Sequence, residues 1–392
     1  MKRQSFWKGF FLILSYVAVA VTAAFCCAFV LLFTTAGEKN KLAELEDVIR
    51  EKFIDEVDMV AVEDAAAAAM VDALGNRWSY YIPAAEYADH LANQKNAYVG
   101  IGITISQRED GKGFDVLKVE DNSGAWEAGI RAGDIVTQVE GQSAVELGAD
   151  GAKTLILGAE GSAVSVTVLR GEETLTFQVK RKRIEVTVAS GQMLEDNIGL
   201  VTIVNFNDRC AEETIAVIEQ LLEEGAEALI FDVRFNPGGY KEELVDLLDY
   251  LLPEGDLFRS LNYTGTERVD TSDEKCLELP MAVLMNGDSY SAAEFFAAAL
   301  SEYEWATLVG QPTTGKSHFQ ITEELSDGSA VNLSVGKYFT PKGVSLADVG
   351  GLKPDVPVEV DEKTYAAIYA GTLDVAADPQ IEAAVQALKT AE

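Results

Sequence analysis

In 286-NGDSYSAAEFF-296, Ser291 follows an apolar run, 281-MAVLM-285, and opens a segment with helical spacing. A serine at a sharp strand-to-helix turn presents its hydroxyl to a substrate, and the helix N-terminus favours the negative charge that acyl transfer develops. The next amide, of Ala292, is placed to help hold an oxyanion. The same residues also fit an ordinary capping box, because Glu294 lies three positions after Ser291. In the catalytic reading, Ser289 or Asp288 takes the cap and leaves the Ser291 hydroxyl free.

A serine hydroxyl needs a base. The chain has two histidines, His90 and His318, so a Ser-His-Asp triad would rest on His318. The other choice is Lys316, which serves only if burial strips its proton near neutral pH. If 316–320 is extended, Gln320 shares a face with Lys316 and is placed to hold its amine. The turn 236-NPGG-239 ends the apolar run 228-ALIFD-232. Gly238 or Gly239 lets the backbone approach a substrate and offers a second oxyanion amide, although the same four residues also make a plain turn. Asp232 and Arg234 are two apart and share a strand face, and they read as structural charges.

A competing motif overlaps the lysine. The segment 310-GQPTTGKS-317 matches the phosphate-binding pattern G-x-x-x-x-G-K-[ST]. Such a loop must open a helix, and here the following residues have strand character. Nucleotide binding is kept as a minor alternative.

These residues need a rigid frame, and the flanking pattern supplies one. Strand-like 198-IGLVTIVNF-206 precedes helix-like 211-AEETIAVIEQLLEEG-225. The strand 227–235 is followed by a helix over 241–252, and the strand 281–285 by a helix over 292–303. Alternating strands and helices indicate an α/β core. Upstream, 96–183 reads as a separate β-rich domain, from 98-YVGIGITI-105 to two alternating strands around Arg170-Gly171. Residues 38–75 have helical spacing throughout, with Gly75 as the stop. The segment 77-RWSYYIPAAEYADHL-91 reads as a connector and a short helix.

Together the motifs and their order resemble the carboxyl-terminal processing proteases, tail-specific serine peptidases of family S41 with a PDZ domain. The resemblance covers roughly 38–390 and rests on 98-YVGIGITI-105, 128-AGIRAGDIVTQVEG-141, 229-LIFDVRFNPGG-239, 286-NGDSYSAAE-294, 307-TLVGQPTTGKSHFQ-320, 338-YFTPKG-343 and 350-GGLKPDVPV-358. It implies a ClpP/crotonase-like α/β serine peptidase core over 184–392. It also implies that Ser291 is the nucleophile, Lys316 its base and Gln320 the partner of the base. Ala292 with Gly238 or Gly239 would form the oxyanion hole. Val99, Gly100, Ile101, Gly102 and Ile103 would receive a substrate's C-terminal carboxylate. Neither a metal nor another cofactor is implied. Unstructured protein tails are the expected partners, with a homodimer or a regulatory protein as further possibilities. The sequence departs from the family pattern at Tyr290 beside the serine, at Ser317 after the lysine and at 122-NSGAW-126 in the PDZ region. The rival reading from another class is a catalytically inactive PDZ scaffold that binds tails.

Composition bounds the rest. The formal net charge is -33 over 392 residues, and only three of the 31 basic residues precede Glu38. Such an acidic surface repels nucleic acid. Gly9 to Gly37 carries no charge and is long enough to cross a bilayer. The expectation is therefore a cytoplasmic 1–9, a transmembrane anchor over 10–36, and a helical 37–95 leading into the extracytoplasmic domains at the cell membrane. Cleavage near 22-TAA-24 is the minor alternative. Of four cysteines, Cys210 and Cys276 lie in the exported part, too few for a disulfide-built fold. No spacing marks a metal site.

Overall fold

The computed structural model describes Thr22, residues 41–108 and residues 110–390. The expected anchor over 10–36 lies outside the described residues, apart from Thr22. Among the described residues no helix is long and apolar enough to cross a membrane. Two compact units make up the chain, the second beginning at Ala68.

The continuous helix expected over 38–75 is two helices, α1 (Lys41–Lys52) and α2 (Met59–Asp72). The break has a local cause. Asp58 Oδ1 accepts from the amides of Val60 and Ala61 at 3.0 and 3.3 Å. That is the N-cap role acidic residues favour, and it starts a fresh helix. The segment expected as a plain connector contains a strand, β1 (Tyr80–Ile82), followed by α3 (Ala84–Gln94).

A β-rich domain comes next. Strands β2 (Ala97–Gly100), β3 (Ile103–Gln107) and β4 (Phe114–Val119) lead to the short helix α4 (Gly124–Ala128). Then follow β5 (Ile135–Val139), β6 (Gln142–Ser143), α5 (Ala144–Ile156), β7 (Ala163–Arg170), β8 (Glu173–Lys180) and β9 (Lys182–Glu185). The hairpin read around Arg170-Gly171 pairs in register from Ala163↔Lys180 to Arg170↔Glu173. Alternate residues Val164, Val166 and Val168 point into a core shared with Phe114, Val136 and Val179. The chain enters on β2 and leaves on β9, and these two strands pair antiparallel.

The α/β core is a six-stranded sheet. Its members are β10 (Ala189–Met193), β11 (Ile198–Ile203), β12 (Ala228–Asp232), β15 (Met281–Met285), β16 (Ala306–Gly310) and β19 (Val356–Pro357), in that order. All neighbours except β10 and β11 run parallel. Central strands of a parallel sheet are covered on both faces, so their sequences are nearly all apolar. On one face Val201, Phe231, Val283 and Leu308 meet helices α6 (Cys210–Glu223), α7 (Lys241–Leu251) and α8 (Ala292–Glu302). On the other, Leu200, Ile230, Leu284 and Val309 meet Ile381, Ala384 and Leu388 of α11 (Pro379–Thr390), the last of three C-terminal helices after α9 (Leu346–Val349) and α10 (Glu362–Tyr369).

A second sheet flanks the core, from β13 (Gly255–Asn262), β14 (Glu267–Ser272), β17 (His318–Glu324) and β18 (Ala330–Phe339). Strand β18 takes β17 along one edge. Its other edge is shared between β13 and β1, so Tyr80–Ile82 pairs with Ala330–Asn332.

Two polar knots fix these parts. Arg234, with its side chain 4% exposed, donates to Asp232 (2.6 Å), Asp378 (2.8 Å) and Gln380 (2.9 Å). The Asp232–Arg234 pair thus ties the end of β12 to the start of α11. Removing one partner of a buried ion network strands charge in a dry site. Asp378→Ala is therefore expected to lower the unfolding free energy by about 3 kcal/mol in a denaturant titration; a loss no larger than that of an exposed aspartate would contradict this role. The second knot is Arg209, held at φ 73°. Its guanidinium donates to the carbonyls of Lys95 (3.2 Å) and Asn96 (3.4 Å), just before the strand entering the inserted domain, and of Val186 (2.9 Å), just after the strand leaving it. Cys210 is buried, Cys276 is half-buried, and neither is in a disulfide.

Candidate active site

Three chain segments leave the C-terminal ends of parallel strands and converge, the place where open α/β sheets build sites. After β12 comes Arg234 to Gly239, after β15 comes Asn286 to Ser291, and after β16 comes Gln311 to Lys316. Asn286 and Asn236 sew the first two together. Asn286 Oδ1 accepts from the amides of Phe235 (3.0 Å) and Asp288 (3.1 Å). Asn236 Nδ2 donates to the Ile203 carbonyl (2.7 Å), and the Asn236 carbonyl accepts from the Tyr290 amide (3.1 Å). Ser289 Oγ donates to the Val233 carbonyl at 2.8 Å.

Ser291 sits at the tip of this assembly with φ 59° and ψ -127°. L-residues avoid that region at a cost of about 1–3 kcal/mol, and such strain collects where a hydroxyl must be presented sharply. Ser291 is 7% exposed and lines a cleft of about 730 Å³ with Gly238, Gly239, Tyr290, Lys316, Gln320 and Tyr338. The helix cap does not pass to Ser289 or Asp288 as the catalytic reading expects. Ser289 is spent on Val233, and Asp288 accepts from the Tyr365 hydroxyl. Ser291 is itself the N-cap residue of α8, and its backbone amide donates to Glu294 Oε2 at 2.9 Å.

Glu294 does more than complete a capping box. It is fully buried, and its carboxylate receives four donors. Oε1 accepts from Thr313 Oγ1 (2.5 Å) and the Gly315 amide (2.6 Å), and Oε2 from the Ser291 and Lys316 amides (2.9 and 2.8 Å). One carboxylate therefore fixes the backbone of both Ser291 and Lys316. Burial pushes its acidity above the usual glutamate range, against the pull of its four donors. The loop of the phosphate-binding pattern is thereby accounted for: its Gly315 and Lys316 amides face a carboxylate, and the chain continues into β17 instead of a helix.

Lys316 precedes β17, which begins at His318. A register irregularity between Phe319 and Gln320 breaks the simple alternation expected over 316–320. Both side chains still line the cleft. Gln320 Nε2 donates to the His318 carbonyl (2.8 Å) and to Ser334 Oγ (3.1 Å). Burial lowers the Lys316 ammonium to about 8; Glu294 opposes that shift and Arg77 adds to it. His318, the alternative base, opens β17 and is not among the cleft-lining residues.

The two glycines of the NPGG turn differ. Gly238, at φ 83°, lies against the elbow: a Cβ there would stand 2.7 Å from Ser291 Cβ. Its amide already donates to Asn236 Oδ1 at 2.9 Å. The Gly239 amide has no hydrogen-bond partner among the described residues. Ala292 is 5% exposed at the first turn of α8, its amide at the helix start.

In the inserted domain a groove of about 470 Å³ runs between β3 and α5. Ile101, Gly102 and Ile103 line it with Tyr98, Ile105 and Ile156. The carbonyls of Ile101 and Gly102 are occupied by the amides of Ala125 and Glu120, both at 2.9 Å. Val99 and Gly100 belong to β2, paired with β9, and do not line the groove. Asp89 and Ala92 of α3 close one side of it.

Comparison with known proteins gives a consistent set of matches. A model for peptidase family S41 matches residues 197–358, and a PDZ domain model matches residues 99–180. The carboxy-terminal processing protease CtpA of Bacillus subtilis (strain 168) is 29% identical over 378 residues, covering 92% of this chain and 79% of the relative. A probable CtpA-like serine protease of Staphylococcus haemolyticus is 27% identical over 370 residues, covering 91% and 74%. Among solved structures, a putative S41 protease from Bacteroides fragilis NCTC 9343 matches with a TM-score of 0.53 and 15% identity, covering 88% of this chain and 97% of that one, which supports the fold.

Proposed function

We propose, for a chain that belongs to peptidase family S41 and carries a PDZ domain, that Ser291 and Lys316 are the catalytic pair of a tail-directed serine endopeptidase. The observation that carries this reading is the strained Ser291 elbow in one cleft with a half-buried lysine whose ammonium is lowered to about 8. A lysine of ordinary acidity is protonated at neutral pH and accepts nothing. At about 8, roughly a tenth is neutral at pH 7, enough to act as a general base.

Neutral Lys316 takes the proton of Ser291 Oγ as that oxygen attacks the scissile carbonyl. The amides of Ala292 and Gly239 face the developing oxyanion; the Gly238 amide is committed to Asn236. The lysine ammonium then protonates the leaving amine, and water, deprotonated by the same amine, releases the acyl group. Gln320, oriented by the His318 carbonyl and Ser334, presents its amide to the cleft beside the base. Upstream, a substrate tail adds as a strand beside β3, with its carboxylate at the Ile101 to Ile103 amides. The uncharged run Gly9 to Gly37 would anchor the chain, leaving the peptidase on the extracytoplasmic side.

A folded reporter with an unstructured C-terminal tail tests this. With the full chain, mass spectrometry is expected to find new C-termini within the tail. Amidating the tail's carboxylate is expected to lower kcat/KM by about tenfold, the equivalent of about 1.4 kcal/mol of recognition. Tail binding without any new C-terminus would reduce the protein to a peptide-binding module.

A further inference from the structure

The wall around Lys316 is not made by the α/β core alone. Lys316 Nζ stands 4.7 Å from the centre of the Trp78 ring and 5.6 Å from that of Tyr290. These two rings pack on each other at 5.5 Å. The Arg77 guanidinium carbon lies 4.1 Å over the same Trp78 ring. Arg77 and Trp78 come from the far side of the PDZ insertion, just before β1.

That segment is pinned where it stands. The Trp78 amide donates to Asn76 Oδ1 (3.0 Å), and its carbonyl accepts from Asn332 Nδ2 (3.2 Å). Ser334, which holds Gln320, donates its hydroxyl to Asn76 Oδ1 (3.1 Å) and its amide to Ser79 Oγ (3.0 Å). The backbone that carries the indole is thereby held beside β18.

Two effects of the ring oppose each other. Its face attracts an ammonium by about 0.5–2 kcal/mol. Its bulk displaces the water that an ammonium needs, which favours the neutral amine. Arg77 adds a permanent positive charge on the same side, and Glu294 from α8 a negative one. Tyr290 stays neutral, its phenol pushed above the usual range by burial. His318 lies two residues on, its imidazole held below the usual range by burial, Lys337 and Lys316, against Asp348. Burial outweighs the attraction of Glu294 at Lys316, so displacement of water wins.

We propose that Arg77 and Trp78 are positioning residues for the base: the indole holds the Lys316 amine out of bulk water, and the guanidinium opposes its protonation. This rests on the Ser291–Lys316 reading, and the experiment separates the two. For the full chain, kcat/KM is measured from pH 6 to 10 on a peptide with no side chain titrating in that range. Trp78→Ala is expected to move the acid-side limb up by about one pH unit, a loss of about tenfold at pH 7 that recovers above pH 9. Trp78→Phe keeps a ring and is expected to stay within about 0.3 unit of the parent. Arg77→Gln, at an exposed position, is expected to move the limb up by a few tenths of a unit. A uniform loss at every pH in Trp78→Ala makes the ring merely structural and overturns the proposal. Should Trp78→Ala fail to fold, an unmoved limb in Arg77→Gln overturns it instead. Lys316→Ala is the control: if it turns over substrate the Ser-Lys reading falls, and if it is dead while the Trp78→Ala and Arg77→Gln limbs stay put, only the present proposal falls.

Discussion

Lys316→Arg is expected to be as inactive as Lys316→Ala, with kcat reduced by about 10⁴-fold or more. The comparison isolates proton transfer from charge. Arginine keeps a cation in the cleft but never gives up its proton in a protein. If Lys316 only neutralised an oxyanion or anchored a substrate carboxylate, arginine would restore part of the rate. Ser291→Ala is expected to match these losses, and Ser291→Ala combined with Lys316→Ala to add nothing, as the proposal that the two groups act in one step requires. In the parent, kcat/KM is expected to rise with pH toward a plateau above about 8, following the loss of the Lys316 proton. The sign follows from the proposed role of the neutral amine as base: activity is lost as pH falls. A flat profile from pH 6 to 9, or substantial turnover by Lys316→Arg, would exclude the lysine as base.

Glu294→Gln comes second, with an expected loss of about 10²- to 10³-fold in kcat. The carboxylate accepts from four donors, two of them the amides of Ser291 and Lys316. A glutamine keeps the shape but turns one oxygen into a donor, which then faces other donors in a dry site. The elbow and Lys316 are expected to move apart by a fraction of an ångström, and misplacement on the scale of 1 Å costs about 10²-fold. The variant also has a signature in pH. Glu294 favours the charged form of Lys316, so its removal is expected to move the acid-side limb down. Trp78→Ala moves the same limb up. A Glu294→Gln profile shifted upward would show that the carboxylate does not act on Lys316 through its charge.

The sequence made β11, β12 and β15 legible because each is a short, largely apolar run followed by a helix. The strand read at 281–285 and the hairpin at Arg170-Gly171 appear at those positions. The break between α1 and α2 was hidden because apolar spacing continues across it, and only the local bonds of Asp58 mark it. Ser291 and Lys316 could be singled out because their loops carry turn residues after apolar strands, and Gln320 by its spacing from Lys316; all three line one cleft. Glu294 was visible only as a capping residue. Its second oxygen reaches Thr313 and Gly315, some twenty positions on, and no local pattern encodes such a contact. Trp78 carried no signal at all. Three residues, Tyr80 to Ile82, are too short for a strand pattern, and their partners lie at the other end of the chain.

That last pairing has a consequence for biogenesis. The bond between the Trp78 carbonyl and Asn332 joins positions 254 residues apart, with the whole PDZ domain and most of the α/β sheet between them. Such a distant closure is among the last contacts a chain can make, whereas β7 and β8 of the PDZ domain pair as a local hairpin. At translation speeds of about 5–20 residues per second, Asn332 follows Trp78 by on the order of 10–50 s. Throughout that interval the nascent polypeptide has its PDZ domain but no assembled cleft wall. The order of synthesis thus leaves this wall of the cleft to be completed only after Asn332 has been made.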